Sequence, residues 1–328
     1  MKRAKEILAP CAALLVAWIA VVILFSILSE RFFSPATFSN LATQIPPLAV
    51  VATGMTLVII TAGIDLSVGS VLGMAGAVFG ASLVIWQLPL PLAGLLAIAT
   101  GTLAGSFNGW ISAWWKVPSF IVTLGMLEIA RGIAYHVTDS KTMYLDGSLA
   151  GLSAPLQGIG LPPSFFVAVS IVLATHLILI KTVYGRRLMA IGANETAVTL
   201  AGIRTLRLKA SVFVIAGAFS GLGALLYTSR LGSADPNAGI GLELSAIAAV
   251  VIGGTSLEGG RGSVLNTFLG VLIIATLEAG LAQMGASEPL KRIITGGVIV
   301  AASCLDAYRN HGSLRFAWLR QKRTAKAS

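Results

Sequence analysis

The amino-acid sequence predicts an all-α fold: a polytopic membrane helix bundle of about ten transmembrane helices with both termini cytoplasmic. Three observations carry that prediction. Of the 328 residues, 56% are hydrophobic and only 11% charged, against roughly 25% charged in a soluble domain. Apolar runs of about 20 residues recur along the whole length, the span a helix needs to cross the hydrocarbon core. Backbone groups find no water there, so each run is a helix or part of a closed barrel. Period-2 alternation is absent, which selects helices. Third, basic residues fall unevenly. Lys2, Arg3, Lys5, Lys116, Lys181, Arg186, Arg187, Arg204, Arg207, Lys209, Arg261 and the 309–328 tail fall on the side assigned to the cytoplasm. Only Arg31, Lys141, Arg230, Lys291 and Arg292 fall on the other. Positive charge retained inside accounts for the formal net charge of +10 without nucleic acid, and the tail suits an anionic membrane surface.

The elements follow in order within one transmembrane domain, 1–328. Lys2, Arg3 and Lys5 precede an apolar run long enough to span a bilayer, which reads as an uncleaved first helix and not a signal peptide. The predicted spans are 9–28, 47–62, 68–86, 92–114, 120–138, 164–181, 210–230, 242–253, 264–284 and 290–307. The eighth is short and reads as re-entrant or tilted. The 139–163 segment is rich in Gly, Ser and Pro and carries Asp139 and Asp146; it is either a docking loop for an outer protein or a plain solvated loop. Cys11 and Cys304 have no metal or disulfide spacing and read as small buried apolar side chains.

Between the sixth and seventh spans lies a polar, basic, helix-capable island, 184–209. Arg186, Arg187, Arg204, Arg207 and Lys209 crowd this loop. A membrane subunit needs such a loop if a soluble partner is to push on it. The bland reading is a solvated basic loop that only fixes topology.

A few polar residues stand inside the apolar runs. Asp65, in GIDLSVGS, is the only charge in the 38 residues from 48 to 85. An ionisable group at membrane depth is costly and points to function, but Asp65 also precedes a helix whose free N–H groups it can cap. Glu128 and Arg131, at i and i+3, share a helix face, as a structural ion pair or as groups for sugar hydroxyls. Asn108 and Glu243 serve either helix packing or the substrate path. Glu278 has no local partner in its run.

The turn at Asp65 has an echo. Val58-Ile59, Ile64-Asp65 and Gly69-Ser70-Val71-Leu72 align with Val251-Ile252, Leu257-Glu258 and Gly262-Ser263-Val264-Leu265. Each copy sets a carboxylate four residues before GSVL. Duplication and convergence of two similar turns both remain open, and repeats with Gly-interrupted helices mark functional regions in transporters.

No GxxxxGK[ST], HExxH, CxxC or GxSxG motif occurs, and no Gly-Lys pair at all. The chain therefore carries no phosphate-cradling lysine, and no nucleophile, base and orienter can be assembled. It is expected not to be an enzyme.

Four segments carry a family resemblance: GMTLVIITAGIDLSVGSVLGMAG (54–76), TLGMLEIARG (123–132), YGRRLMAIGANETAVTLAGI (184–203) and ELSAIAAVVIGGTSLEGGRGS (243–263). Together they resemble the ribose/xylose-type permeases, inner-membrane subunits of bacterial ABC sugar importers, over nearly the whole chain. The resemblance implies partners: cytoplasmic ATP-binding subunits that hold ATP and Mg, a periplasmic sugar-binding protein, and a second permease copy or paralogue. It implies no cofactor on this chain. It makes 184–209 the cytoplasmic coupling loop, with Gly185, Asn194 and Gly202 at signature positions and Arg186, Arg187 and Arg204 as partner contacts. It implies import of a pentose or hexose by alternating access across the bacterial inner membrane. Asp65, Asn108, Glu128, Arg131 and Glu243 become candidates for the substrate path or its gate. One position departs: the family usually reads ELDAIAAVVIGG, and this chain has Ser245 in place of the acidic residue. The competing class is a proton-coupled secondary transporter of a small polar solute, with Asp65, Glu128 or Glu278 as a relay.

Overall fold

The computed structural model describes residues 2–147 and 149–310. Thirteen helices occur among them: α1 (Lys2–Leu28), α2 (Pro35–Ile60), α3 (Val68–Val84), α4 (Leu90–Trp114), α5 (Ser119–Val137), α6 (Ala150–Ser153), α7 (Pro163–Lys181), α8 (Val183–Ala193), α9 (Glu195–Leu200), α10 (Thr205–Leu231), α11 (Leu242–Ile252), α12 (Val264–Gln283) and α13 (Glu288–Asn310). Every predicted span is helical. Seven of these helices, α1, α2, α4, α5, α7, α10 and α12, are long and apolar enough to cross a membrane, while α3 and α11 are shorter apolar helices. The chain is an all-α, multi-pass membrane protein. The predicted 309–328 tail lies outside the described residues apart from the first two, which end α13.

Local chemistry sets the helix limits. Ser34 caps α2, its Oγ accepting from Thr37 N at 3.3 Å, with Pro35 in the first turn. This corrects the predicted start at 47. Pro46 and Pro47 read as a beginning, yet they lie inside α2; a buried membrane helix tolerates the two lost donors because its neighbours surround it. Ser263 caps α12 through Asn266 N at 3.4 Å. Gly232, at φ 63°, ends α10 in the left-handed conformation that a side chain disfavours.

Helix α2 is the axis of the bundle. In its apolar window 89% is buried, against 11% for α1, 28% for α4 and α7, and 22% for α5, so those helices form the outer rim of the bundle. Helices α4 and α10 make the tightest seam. A Cβ at Gly101 would lie 2.2 Å from the Gly217 carbonyl oxygen, so only small residues let these backbones meet. The 139–163 segment is not wholly irregular. A two-residue strand, β1 (Met143–Tyr144), pairs antiparallel with β2 (Ser233–Ala234) just after α10, and α6 follows it. Of the cysteines, Cys11 is half-buried but Cys304 is exposed, which corrects the buried reading. Its helix lies at the edge of the bundle, where an apolar side chain can face lipid.

Both copies of the sequence echo are helix–turn–helix units, α2 into α3 and α11 into α12. Their turns meet: Gly260 N donates to Ile60 O at 2.9 Å.

Candidate functional site

The basic island folds as two short helices that connect α7 to α10. Thr182 caps α8 through Gly185 N at 3.3 Å. At Gly185 a Cβ would stand 2.0 Å from the Leu179 carbonyl oxygen, so only glycine lets α8 fold back against the end of α7. Asn194 caps α9 through Ala197 N at 2.9 Å, and Gly202 takes φ 80° in the turn that leads to α10. Helix α8 buries Gly185, Leu188 and Ile191, one stripe at helical spacing, and exposes Arg186 and Arg187. Arg204 and Arg207 are exposed too, and Leu200 is 85% exposed at the tip of α9. Lys209 instead pairs with Glu195 at 2.9 Å, inside the loop. The Tyr184 hydroxyl meets Ser211 Oγ at 2.7 Å, and burial holds its pKa above the ordinary phenol value.

The buried side of α8 rests on the junction of the two echo turns. A Cβ at Gly192 would stand 1.9 Å from Ile60 O and 2.3 Å from Gly260 N. One at Gly260 would stand 2.9 Å from the Ala193 backbone. Helix α8 therefore touches both helix breaks at once. Sequence reasoning singled out Gly185, Asn194 and Gly202 but passed over Gly192 and Gly260. Their paired close approach joins positions far apart in the chain.

Asp65 is 2% exposed and closes its own turn. Its Oδ1 accepts from Ser67 N at 2.9 Å and from Ser67 Oγ at 2.6 Å. Asn108 Nδ2 donates to the same Ser67 hydroxyl at 3.0 Å. Ser119 and Thr123 hold Ile64 N and Leu66 N, each at 3.0 Å. Asp65 and Asn108 are thus brought together in one buried network that ties α3, α4 and α5 at the loop end of the bundle.

Glu128 and Arg131 do not form an ion pair among the described residues. Glu128 is exposed, whereas Arg131 Nη1 donates to the carbonyls of Pro236 and of Ala238, the second at 3.0 Å. Glu243 Oε1 accepts from Gly241 N at 3.2 Å, and its carboxylate lies so close to α3 that a Cβ at Gly69 would stand 2.2 Å from Oε2. Tyr135 OH meets Asn237 Oδ1 at 2.6 Å. Arg131 and Tyr135 of α5 and Glu243 at the start of α11 together hold the 235–241 loop.

Two clefts open at opposite ends. One, of about 1010 Å³, lies at the far end from α8 and α9. Asn40 and Gln44 of α2, Arg230 of α10, Ser245 of α11, Glu278 of α12 and Lys291 of α13 all line it. The other, of about 740 Å³, lies at the loop end, between Ile64, Lys116, Ser119, Glu195 and Lys209. Asp65, Asn108, Glu128, Arg131 and Glu243 line neither. Sequence reasoning missed the larger cleft because Arg230, Lys291 and Arg292 read individually as topology charges. Among the described residues no cluster of His, Cys, Asp or Glu could hold a metal.

A family described as branched-chain amino acid transport system / permease component matches residues 37–303. The ribose import permease protein of Haemophilus influenzae is 41% identical over 300 residues, 89% of this chain and 92% of that relative. Its counterpart from Bacillus subtilis is 40% identical over 287 residues, 87% and 89% of the two chains. The xylose transport system permease protein of Escherichia coli K12 is 33% identical over 356 residues, 90% and 91%. No solved structure matches.

Proposed function

Because this chain belongs to the family of branched-chain amino acid transport system / permease components, we propose that it is the membrane subunit of an ATP-binding cassette importer that carries a pentose or hexose inward. The relatives' names favour a sugar over an amino acid. ATP and Mg would be held by a cytoplasmic partner, since this chain has no phosphate-cradling loop. A periplasmic sugar-binding protein would deliver the substrate, and a second permease copy or paralogue would complete the pathway in the bacterial inner membrane. In this reading the α8–α9 end faces the cytoplasm with both termini, and the larger cleft faces the periplasm.

One observation carries the reading: an exposed basic helix, α8, seated on both helix breaks through Gly192. A partner that grips Arg186, Arg187 and Arg204 and moves with nucleotide binding would push α2–α3 and α11–α12 together. That is a mechanical route to alternating access. Sugar affinity belongs to the delivery protein, so the membrane path itself would bind weakly.

Co-purification with the cognate ATPase tests the reading. The wild-type chain is expected to retain the ATPase, and the R186E/R187E/R204E variant to lose it. Equal retention by both would refute the docking role of the loop.

A further inference from the structure

The larger cleft contains two opposite charges that do not meet. Arg230, at the end of α10, stacks over the Tyr227 ring at 5.3 Å, and its Nε is buried with no hydrogen-bond partner. Glu278, on α12, stands beside the Ser245 hydroxyl, with Arg230, Lys291 and Glu288 the charged groups acting on it. Lys291 is already committed to Glu288 at 2.6 Å. No ion pair among the described residues includes Arg230 or Glu278, although both line the same cavity.

A buried guanidinium N–H without a protein acceptor is costly, and such a group marks a place where a bound water or ligand can supply the acceptor. The guanidinium offers only donors, and the carboxylate only acceptors when ionised. The group that satisfies both must donate and accept at neighbouring atoms. A vicinal diol does this: one hydroxyl donates to the carboxylate while the next accepts from the guanidinium. Asn40 and Gln44 of α2, which line the same cleft, bring amides that donate and accept toward further hydroxyls. Arg230 and Glu278 contribute one charge of each sign, so they match a neutral polyhydroxylated ring better than a sugar acid or an amino sugar.

We infer that Arg230 and Glu278, with Ser245 beside the carboxylate, form a weak sugar subsite that receives a vicinal diol. This rests on the importer reading and deepens it, because it places the first contact inside the membrane subunit on residues that the motif analysis left outside the path. Ser245 also gains a role, since a neutral hydroxyl there adds no second negative charge beside Glu278, while the nearby Glu288 carboxylate is held by Lys291.

The test is saturation-transfer NMR on the full chain in lipid nanodiscs, with D-ribose as probe and tetrahydropyran-4-ol, which has no vicinal pair, as control. Wild type is expected to show a saturable ribose signal and none from the control. E278Q and R230Q are each expected to weaken ribose binding about tenfold or more, roughly the loss of one charge-assisted hydrogen bond. R230K, which keeps the charge but not the fork, is expected to fall between. D139N, on the exposed outer loop, should match wild type. Retention of the ATPase is scored on every preparation and shows that a variant is folded. Normal retention with ribose binding unchanged in E278Q and R230Q overturns the subsite and leaves the importer reading standing. An equal signal from tetrahydropyran-4-ol overturns the diol geometry. Loss of ATPase retention in the wild type overturns the importer reading and this inference with it.

Discussion

At the scale of single residues, burial decides what a polar group does. A carboxylate at 2% exposure must have its lone pairs met, and Asp65 meets them with the Ser67 N–H and hydroxyl. Asp65→Ala would orphan both donors, at about 1–3 kcal/mol. The expected result is a lower thermal midpoint in detergent, with Asp65→Asn less affected because its amide oxygen still accepts. An unchanged midpoint in Asp65→Ala would show that the turn does not depend on this bond. The isolation of Asp65 was legible in the sequence, but its partners were not. Asn108 is 41 positions from Ser67, and no local pattern connects them. Glu128 and Arg131 teach the converse. Their spacing suggested a pair, yet backbone carbonyls at Pro236 and Ala238 claim the guanidinium.

Among elements, the α8–α9 loop and the helix breaks are packed together as one unit. Gly192→Ala would place a methyl inside the Ile60–Gly260 contact, and such overpacking costs about 1–3 kcal/mol. The exposed arginines lie on the other side of α8, so ATPase retention is expected to survive while uptake falls roughly tenfold or more. Loss of both together would mean that Gly192 only folds the loop. Docking through exposed arginines should also weaken with salt, because the screening length shrinks from about 10 Å at 0.1 M to about 3 Å at 1 M. Retention measured across that range checks it, and salt-insensitive binding would point to Leu200 and its apolar neighbours instead. The amphipathic loop was legible because basic residues interrupt long apolar runs. The start of α2 was not, since the Pro46-Pro47 pair signals a helix beginning wherever burial does not override it.

For the whole molecule, hydropathy made the fold class readable, because the bilayer leaves a chain few ways to satisfy its backbone. The cleft was unreadable for a related reason. Its charges come from helices spread between positions 230 and 292, and each alone resembles a loop charge at a membrane edge. An importer subunit and a proton-driven carrier are both multi-pass helix bundles and differ in what supplies the energy. The decisive measurement is D-ribose uptake into proteoliposomes that hold this chain with its ATPase and binding protein, with ATP inside and an uncoupler present. The account predicts ATP-dependent uptake that the uncoupler does not alter and that R186E/R187E/R204E abolishes. Uptake by the chain alone, driven by a proton gradient and lost on addition of uncoupler, would contradict it.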